Sequence, residues 1–584
     1  MSLEGYASVT SAAPGETVDF HVRASAGDSR FSMDVYRRSV EDTLVKSCQG
    51  DAYVPGTQDD AGLAIDGCDW PAVDGCRTVV PDDWKSGYYV AHLSSGNSDT
   101  WIPFVVRAGP DSGASIVAKL SDTTSNAYNT WGGRGFYTTP FAPRISFDRP
   151  YDDLTLYERY QLPFVQWAER RGYAIDYCSS LDLHLNAQLL DRYRMFLSLG
   201  HDEYWSLEMR DQVEAFIAAG GNVAFFSANT CFWQIRFDFS NGGRIMICYK
   251  EAEAGHPQDP DRSDPRRVTT EWSAAPVNRP ENSMTGVSYR DGAGWWNDPI
   301  DPARRYRGYT VSNASHWIFD GTGLSNGDTF GAGNSVDSTI LGYETDAAGG
   351  GTPQNFIVLA QADLRDWASG GQGGYATMGV YRRNGIVFTA GTVNWAAGLS
   401  QNGGNTAVDQ ITEHVVNAFN SDPAPAVSLS NAGFEDWPNS VPSGWALDGA
   451  GTVSAEDTDA EASDNNMRFS GGGGDFCLKV DASAGETWIS QSDFTCNAGT
   501  AYGAGCWAKA AQRGATIRLQ STDTWHDFAS AEHSGSGEWE YLFATGSASG
   551  EAATFNARVK IQVASGVQAW FDNVSVMPVP DRPG

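Results

Sequence analysis

Basic residues are scarce in this chain. Lys and Arg number 40 against 72 Asp and Glu, a net charge of −32 over 584 residues. Nucleic acid and anionic membranes are gripped by clustered Lys and Arg, so neither is an expected partner. The acid excess reads instead as a solvated, soluble surface. Long apolar runs are missing as well: nowhere do about 18 apolar residues follow one another, the length a spanning helix needs. None of the nine cysteines forms a CxxC pair, which argues against a thiolate zinc site. Cys48, Cys68 and Cys76 crowd near the N-terminus, where two of the three can pair. The opening Met-Ser-Leu-Glu-Gly has no basic region followed by an apolar stretch and looks like an artificial start. A native signal peptide trimmed ahead of it would make the protein periplasmic or secreted; the compartment stays open.

What is present divides into three parts. Residues 1–112 read as a β-sandwich of the immunoglobulin-like kind, from β-rich stretches such as "ETVDFHVRA", "RFSMDVYRR" and "TWIPFVVRA" separated by Gly, Asp and Ser turns. From 113 to 424 the pattern becomes strand–helix alternation. "SIVAKL", "YAIDYC", "YRMFLSLG" and "NVAFFSA" are apolar strands; a helix is expected over 156–172, and another after Ser206 with Met209, Val213, Phe216 and Ile217 on one face. Buried strands alternating with helices predict a central α/β doubly wound parallel sheet. Residues 232–350 are loop-rich, strands resume over 355–391, and a helix closes the unit near 405–420. Beyond "SDPAPAV", residues 425–584 are β-rich, dense in Gly, Ser and Ala, and carry seven tryptophans.

Ligands of open α/β sheets bind beyond the carboxyl ends of the strands. That directs attention to "GHDEYWS" (200–206), where His201, Asp202, Glu203 and Tyr204 follow one strand and precede one helix. Such groups either act as ligands and acid–base catalysts or only cap the helix and pack its base. His201, Glu203 and Tyr204 are the catalytic candidates. His184, in "LDLHLN", is expected to be structural. Cys231 follows the fourth strand, but "SANTCFW" lacks the small residues a tight nucleophile turn requires, so a buried inert thiol is expected.

"GHDEYWS", "EAFIAAGGNVAFFSANTCFW", "IMICYK", "TTEWSAAPVNRPENSMTGV" and "FTAGTVNWAAGL" together resemble the N,N-dimethylformamidase large (beta) subunit family, over roughly 1–420. The resemblance implies a glutamine-amidotransferase-like central fold, hydrolysis of a carbon–nitrogen amide bond, and one iron ion held by two tyrosine phenolates and a glutamate. Such hard oxygen donors leave positions open for water and substrate. Carried onto this sequence, the ligand set points to Tyr204 as one tyrosine and Glu271, in "TTEW", as the glutamate, with Glu281 as its competitor. Tyr128, Tyr160 and Tyr177 remain open as the second tyrosine, and Tyr128 is preferred for its place after the first strand.

"NAGFEDW…PSGW", "YGAGCWAKA" and "VQAWFDNVSV" resemble carbohydrate-binding modules with the galactose-binding jelly-roll fold. That resemblance implies a structural calcium at Glu435 and Asp572 and a sugar partner, for which Trp525, in the loop-like "STDTWHDFA", is the expected stacking ring. Two functions follow: a metal-dependent amide hydrolase acting on a small molecule, or a carbohydrate-binding protein with a degenerate central domain. A polysaccharide-linked enzyme using the same crevice is the third reading.

Overall fold

A computed structural model describes residues 2–579 except 26–28, 97, 241–243, 297–301, 354, 402–403, 405, 422–433, 435, 458–475, 499–500, 538 and 549–550. Strand outweighs helix, 39% to 18%, and is spread over several sheets.

Near the N-terminus, the Ser98–Val106, Gly87–Ser95, Arg30–Arg38 and Thr43–Asp51 strands run antiparallel in one sheet, with Ser11–Ala12 added at its edge. Alternation sets its inner face: Phe31, Met33 and Val35 are buried while Arg30 and Ser32 are exposed. The paired Leu3–Ala7 and Phe20–Ala24 strands cover that face, so Leu3 and Val22 share a core with Val35, Tyr89 and Ile102. Cys48 and Cys76 form a disulfide, and Cys68 is the buried thiol left over.

The largest sheet has nine strands. Five are parallel neighbours in the order Ile175–Ser179, Ile116–Leu120, Met195–His201, Asn222–Ala228 and Ile386–Thr389. Ile116, Ala118 and Leu120 pack with Phe164, Val165 and Trp167 of the Leu162–Arg170 helix and with Ile411 and Val415 of the Ala407–Asn420 helix. Val117 points the other way, toward Met209, Val213 and Ile217 of the Leu207–Ala218 helix. Each such side chain taken fully out of water contributes about 1.5–3 kcal/mol, and helices on both faces are the result.

The sheet departs from the expected all-parallel form. Tyr375–Arg382 returns antiparallel to Ile386–Thr389, and Ile357–Asp363 pairs antiparallel to it in turn. Asn384-Gly385 closes the connection between the last two strands, and a link that short joins only antiparallel neighbours. The helix expected over 156–172 is two helices, Thr155–Tyr160 and Leu162–Arg170, broken at Gln161, with Pro163 in the first turn of the second.

Two five-stranded antiparallel sheets make up the C-terminal part. Ile489, Ile517 and Val559 of one face Leu478, Ala504 and Phe571 of the other in a single core, a two-sheet β-sandwich. No helix among the described residues is long and apolar enough to cross a membrane.

Candidate functional site

Three adjacent parallel strands, Ile116–Leu120, Met195–His201 and Asn222–Ala228, deliver their carboxyl ends to one place. From the first, the Asp122–Tyr128 helix carries Tyr128. The second ends in His201 and turns through Asp202 and Glu203, and the third is followed by Asn229. Gly200 makes the turn possible. Its φ is +68°, and a Cβ there would stand 2.6 Å from the Tyr160 Cβ and 2.9 Å from the Tyr160 carbonyl oxygen. Two threonines tie the short helix to the turn: Thr124 Oγ1 accepts the Glu203 N–H at 2.9 Å, and Thr123 Oγ1 donates to the Tyr204 carbonyl at 2.8 Å.

His201 is the centre of the cluster. Its Nε2 lies 2.9 Å from Glu344 Oε2, 3.3 Å from the Tyr128 hydroxyl and 3.9 Å from Glu203 Oε2. Burial pulls the imidazole pKa down, but the Glu344 carboxylate, with Glu203 and Asp202, outweighs it and holds it at about 9. Burial pushes the Glu203 carboxyl above its ordinary range, against the nearby cations His201 and Lys250. The phenol of Tyr128 is likewise pushed well up by burial, with Glu203 adding to it.

The cluster is braced from behind. The Tyr137 hydroxyl donates to Glu203 Oε1 at 2.7 Å and accepts from the Tyr204 hydroxyl at 2.8 Å. Lys250 Nζ sits 3.8 Å from the centre of the Tyr137 ring. Asn229 Nδ2 donates to Glu344 Oε2 at 3.2 Å. Asn229 adopts a left-handed φ of +46°, which Asn tolerates, and its N–H donates to Asp346 Oδ1 at 2.7 Å. Burial raises the Asp346 carboxyl to about 8 despite that bond. Beneath the turn, Asp202 is fully buried and bonded to Lys119 Nζ at 2.5 Å and to Ser198 Oγ at 2.6 Å.

The sequence candidates separate. His201, Glu203 and Tyr128 come together, whereas Tyr204 stands one hydrogen bond behind, reaching Glu203 only through Tyr137. Glu271 does not join them: its carboxylate accepts from Ser273 Oγ at 3.4 Å, and burial and the neighbouring Glu281 raise its pKa. Tyr204 and Glu271 share no hydrogen-bond partner among the described residues. Glu281 accepts from Ser288 and pairs with Arg290. Tyr160 stacks on Tyr343 near His201, while Tyr177 belongs to the core. His184 binds the helix-capping Ser206 hydroxyl at 2.8 Å. Cys231 is buried, and burial pushes its thiol strongly away from ionising. Glu435 and the side chain of Asp572 lie outside the described residues.

Glu344, Asn229, Tyr137 and Lys250 are the site residues that sequence reasoning missed. Asn229 was within reach, as the first residue after the fourth strand. Glu344 had no signal, because it enters on the Glu344–Ala347 strand from the loop-rich stretch.

A metal's fit can be judged from the donors. Among the described residues no three His, Cys, Asp or Glu side chains are grouped so as to hold a metal by themselves. The Tyr128 phenol supplies what that set lacks, beside the His201 imidazole and the Glu203 carboxylate. Glu203 Oε2 is buried with no hydrogen-bond partner, which leaves a lone-pair donor facing the cluster. Phenolate, imidazole and carboxylate are oxygen and nitrogen donors of the sort that hold iron with open positions.

The model of a family described as N,N-dimethylformamidase beta subunit-like, C-terminal, matches residues 33–407. The N,N-dimethylformamidase beta subunit of Paracoccus aminophilus is 23% identical over 448 residues, covering 62% of this chain and 56% of that protein. The one from an Alcaligenes species is 24% identical over 337 residues, covering 50% and 42%. The chain thus spans about half the length of the curated relatives it matches. Among solved structures, TmCBM61 in complex with beta-1,4-galactotriose is 17% identical with a TM-score of 0.18, covering 26% of this chain and 97% of that one. The CBM22-1 xylan-binding domain from Paenibacillus barcinonensis Xyn10C is 12% identical with a TM-score of 0.19, covering 26% and 93%.

Proposed function

The chain belongs to the N,N-dimethylformamidase beta subunit-like family, and on that premise we propose that it hydrolyses a carbon–nitrogen amide bond at the His201 cluster. The observation that carries the reading is His201 Nε2 facing the Tyr128 hydroxyl and the Glu203 and Glu344 carboxylates at the ends of adjacent parallel strands. We read the central part, 113–424, as the amidotransferase-like α/β domain, between an immunoglobulin-like part (1–112) and a jelly-roll part (425–584).

Tyr128, His201 and Glu203 would hold one iron ion, a set we prefer to Tyr204 with Glu271 because the hydroxyl of Tyr204 turns to Tyr137 and the carboxylate of Glu271 to Ser273. When bound, the ion supplies a Lewis acid that polarises the amide carbonyl and acidifies a water. Glu344 is the general base of the reading: its carboxylate takes a proton from the attacking water and delivers it to the departing nitrogen. Asn229 fixes the Glu344 carboxylate through its Nδ2, and Tyr137 fixes Glu203. The products are a carboxylic acid and an amine. Formamides are not singled out by any residue named here.

The test is a panel of small amides followed by amine release, with the His201→Ala variant beside the wild type. Amine release by the wild type and none by the variant supports the reading; an inactive wild type, fully loaded with iron, removes it.

A second reading concerns the C-terminal sandwich. Trp525 is 61% exposed, at a left-handed φ of +61°, with the Arg558 guanidinium 4.9 Å from its ring. An exposed, braced aromatic face suits stacking on a sugar ring, so this part is proposed as a carbohydrate-binding accessory to the hydrolase.

A further inference from the structure

One sheet of the C-terminal sandwich gathers positive charge in a chain that has little of it. Its strands run in the order Ala446–Gly449, Thr487–Asn497, Thr554–Val563, Ala515–Ser521 and Asp527–Glu532. Burial alternates along Thr554–Val563, so Val559 and Ile561 turn into the core while Arg558 and Lys560 turn out. On the neighbouring strand Arg518 turns out between the buried Ile517 and Leu519. These two strands carry three cations and no acid, although the whole chain has 72 acids to 40 bases.

The cations are not arranged to neutralise one another. Arg518 and Lys560 stand directly opposite across the strand pair, and like charges so placed repel. Asp527 pairs with Arg518 at 2.7 Å. Arg558 has no carboxylate partner among the described residues: its Nε and Nη2 donate to Gln520 Oε1 at 2.8 and 2.5 Å. Lys560 Nζ has neither a hydrogen bond nor an ion pair among the described residues and rests 4.4 Å from the centre of the Trp488 ring. Burial and the guanidinium groups of Arg558 and Arg518 lower the Lys560 pKa, against Asp527 and Glu486.

Each uncompensated cation thus has a tryptophan beside it, Trp488 next to Lys560 and the exposed Trp525 next to Arg558. Lys560 and Arg558 are two residues apart on one strand, about 7 Å. Ring, cation, cation and ring therefore follow one another along the sheet face. Ring faces suit sugar rings, and a free guanidinium or ammonium suits a carboxylate. The chain's net charge of −32 opposes any polyanion, but at physiological salt that field is screened beyond about 8 Å, and the local cations decide. Two free cations match a sparsely charged ligand better than a densely sulfated one.

We propose that this face binds an acidic polysaccharide of carboxylated sugars, its carboxylates pairing with Lys560 and Arg558 and its rings lying on Trp488 and Trp525. The proposal rests on the reading of the C-terminal sandwich as carbohydrate-binding and adds the charge class of the sugar.

The experiment titrates the full chain with trigalacturonate, neutral galactotriose and dextran sulfate, and follows binding by calorimetry. The expected result is saturable binding of trigalacturonate, weakened by added sodium chloride, with galactotriose at least tenfold weaker. Lys560→Met and Arg558→Gln are each expected to weaken trigalacturonate about tenfold or more, the loss of one charged hydrogen bond, and to leave the thermal midpoint of the free chain unchanged. His201→Ala is expected to bind as the wild type does, which separates this face from the proposed active site. No binding of either trisaccharide would overturn the proposal together with the sugar-binding reading. Galactotriose bound as well as trigalacturonate would leave that reading standing and overturn the acidic preference. Tighter binding of dextran sulfate, or trigalacturonate bound equally by both variants, would also overturn the proposal.

Discussion

The imidazole of His201, at the end of a central parallel strand, stands 2.9 Å from the carboxylate of Glu344, which enters from a different sheet. Asn229 donates to the same carboxylate oxygen, so Glu344 is held by residues from two strand ends. Removing its charge while keeping its shape is therefore informative. Glu344→Gln is expected to fold normally and to lose about 100-fold or more of amide turnover, the range for a missing acid–base group. Amine release, with circular dichroism as the folding control, checks it; turnover within about threefold of the wild type would free Glu344 of that role.

The support beneath the turn is a buried ion pair, Lys119 with Asp202, both fully buried. Removing one partner of such a pair leaves a stranded charge and costs about 3–5 kcal/mol. Lys119→Met is expected to lose that much in urea unfolding. The double variant Lys119→Met, Asp202→Asn should recover a large part of it, because no unpaired charge remains. A double variant as unstable as the single one would contradict the assignment.

Acid should weaken the fold partly through His316. This side chain is buried, and burial lowers its pKa to about 3 from an ordinary value near 6.5. The folded state thus holds it neutral. The stability it contributes is fully present above pH 6.5 and is lost as pH falls from there toward 3. His316 Nδ1 also accepts the Ile318 N–H at the start of a short helix, so His316→Asn keeps an acceptor there. The stability gap between wild type and His316→Asn should shrink steadily from pH 7 to pH 4; a gap independent of pH would refute it.

Trp525 is exposed enough that Trp525→Ala should change unfolding stability by no more than about 0.5 kcal/mol. If the C-terminal sandwich binds sugar through this ring, the same variant should lose retardation in polysaccharide affinity gels. Retardation unchanged by the substitution would remove Trp525 from that surface.

Much of the central fold was legible in the sequence because apolar strands of five to seven residues and capped amphipathic helices announce themselves. "YRMFLSLG" and "NVAFFSA" became the strands Met195–His201 and Asn222–Ala228, and Ser206 caps its helix as expected. The antiparallel half was not read, although Asn384-Gly385 signals a tight return. The site was half legible. His201 and Glu203 follow from a polar run at a strand end, and Tyr128 from its place after the first strand. Tyr204 is next in sequence to Glu203, yet its hydroxyl turns to Tyr137. Glu271 and Glu344 are both isolated acids in a loop-rich stretch, and only the pairing of distant strands decides which one meets His201.

Iron content and the visible phenolate-to-iron absorption of the purified chain test the central claim most directly. The account predicts about one iron per chain and a visible band in the wild type, both lost in Tyr128→Phe and retained in Tyr204→Phe. A colourless, iron-free wild type after reconstitution with iron, or a band that survives Tyr128→Phe and disappears in Tyr204→Phe, would contradict it.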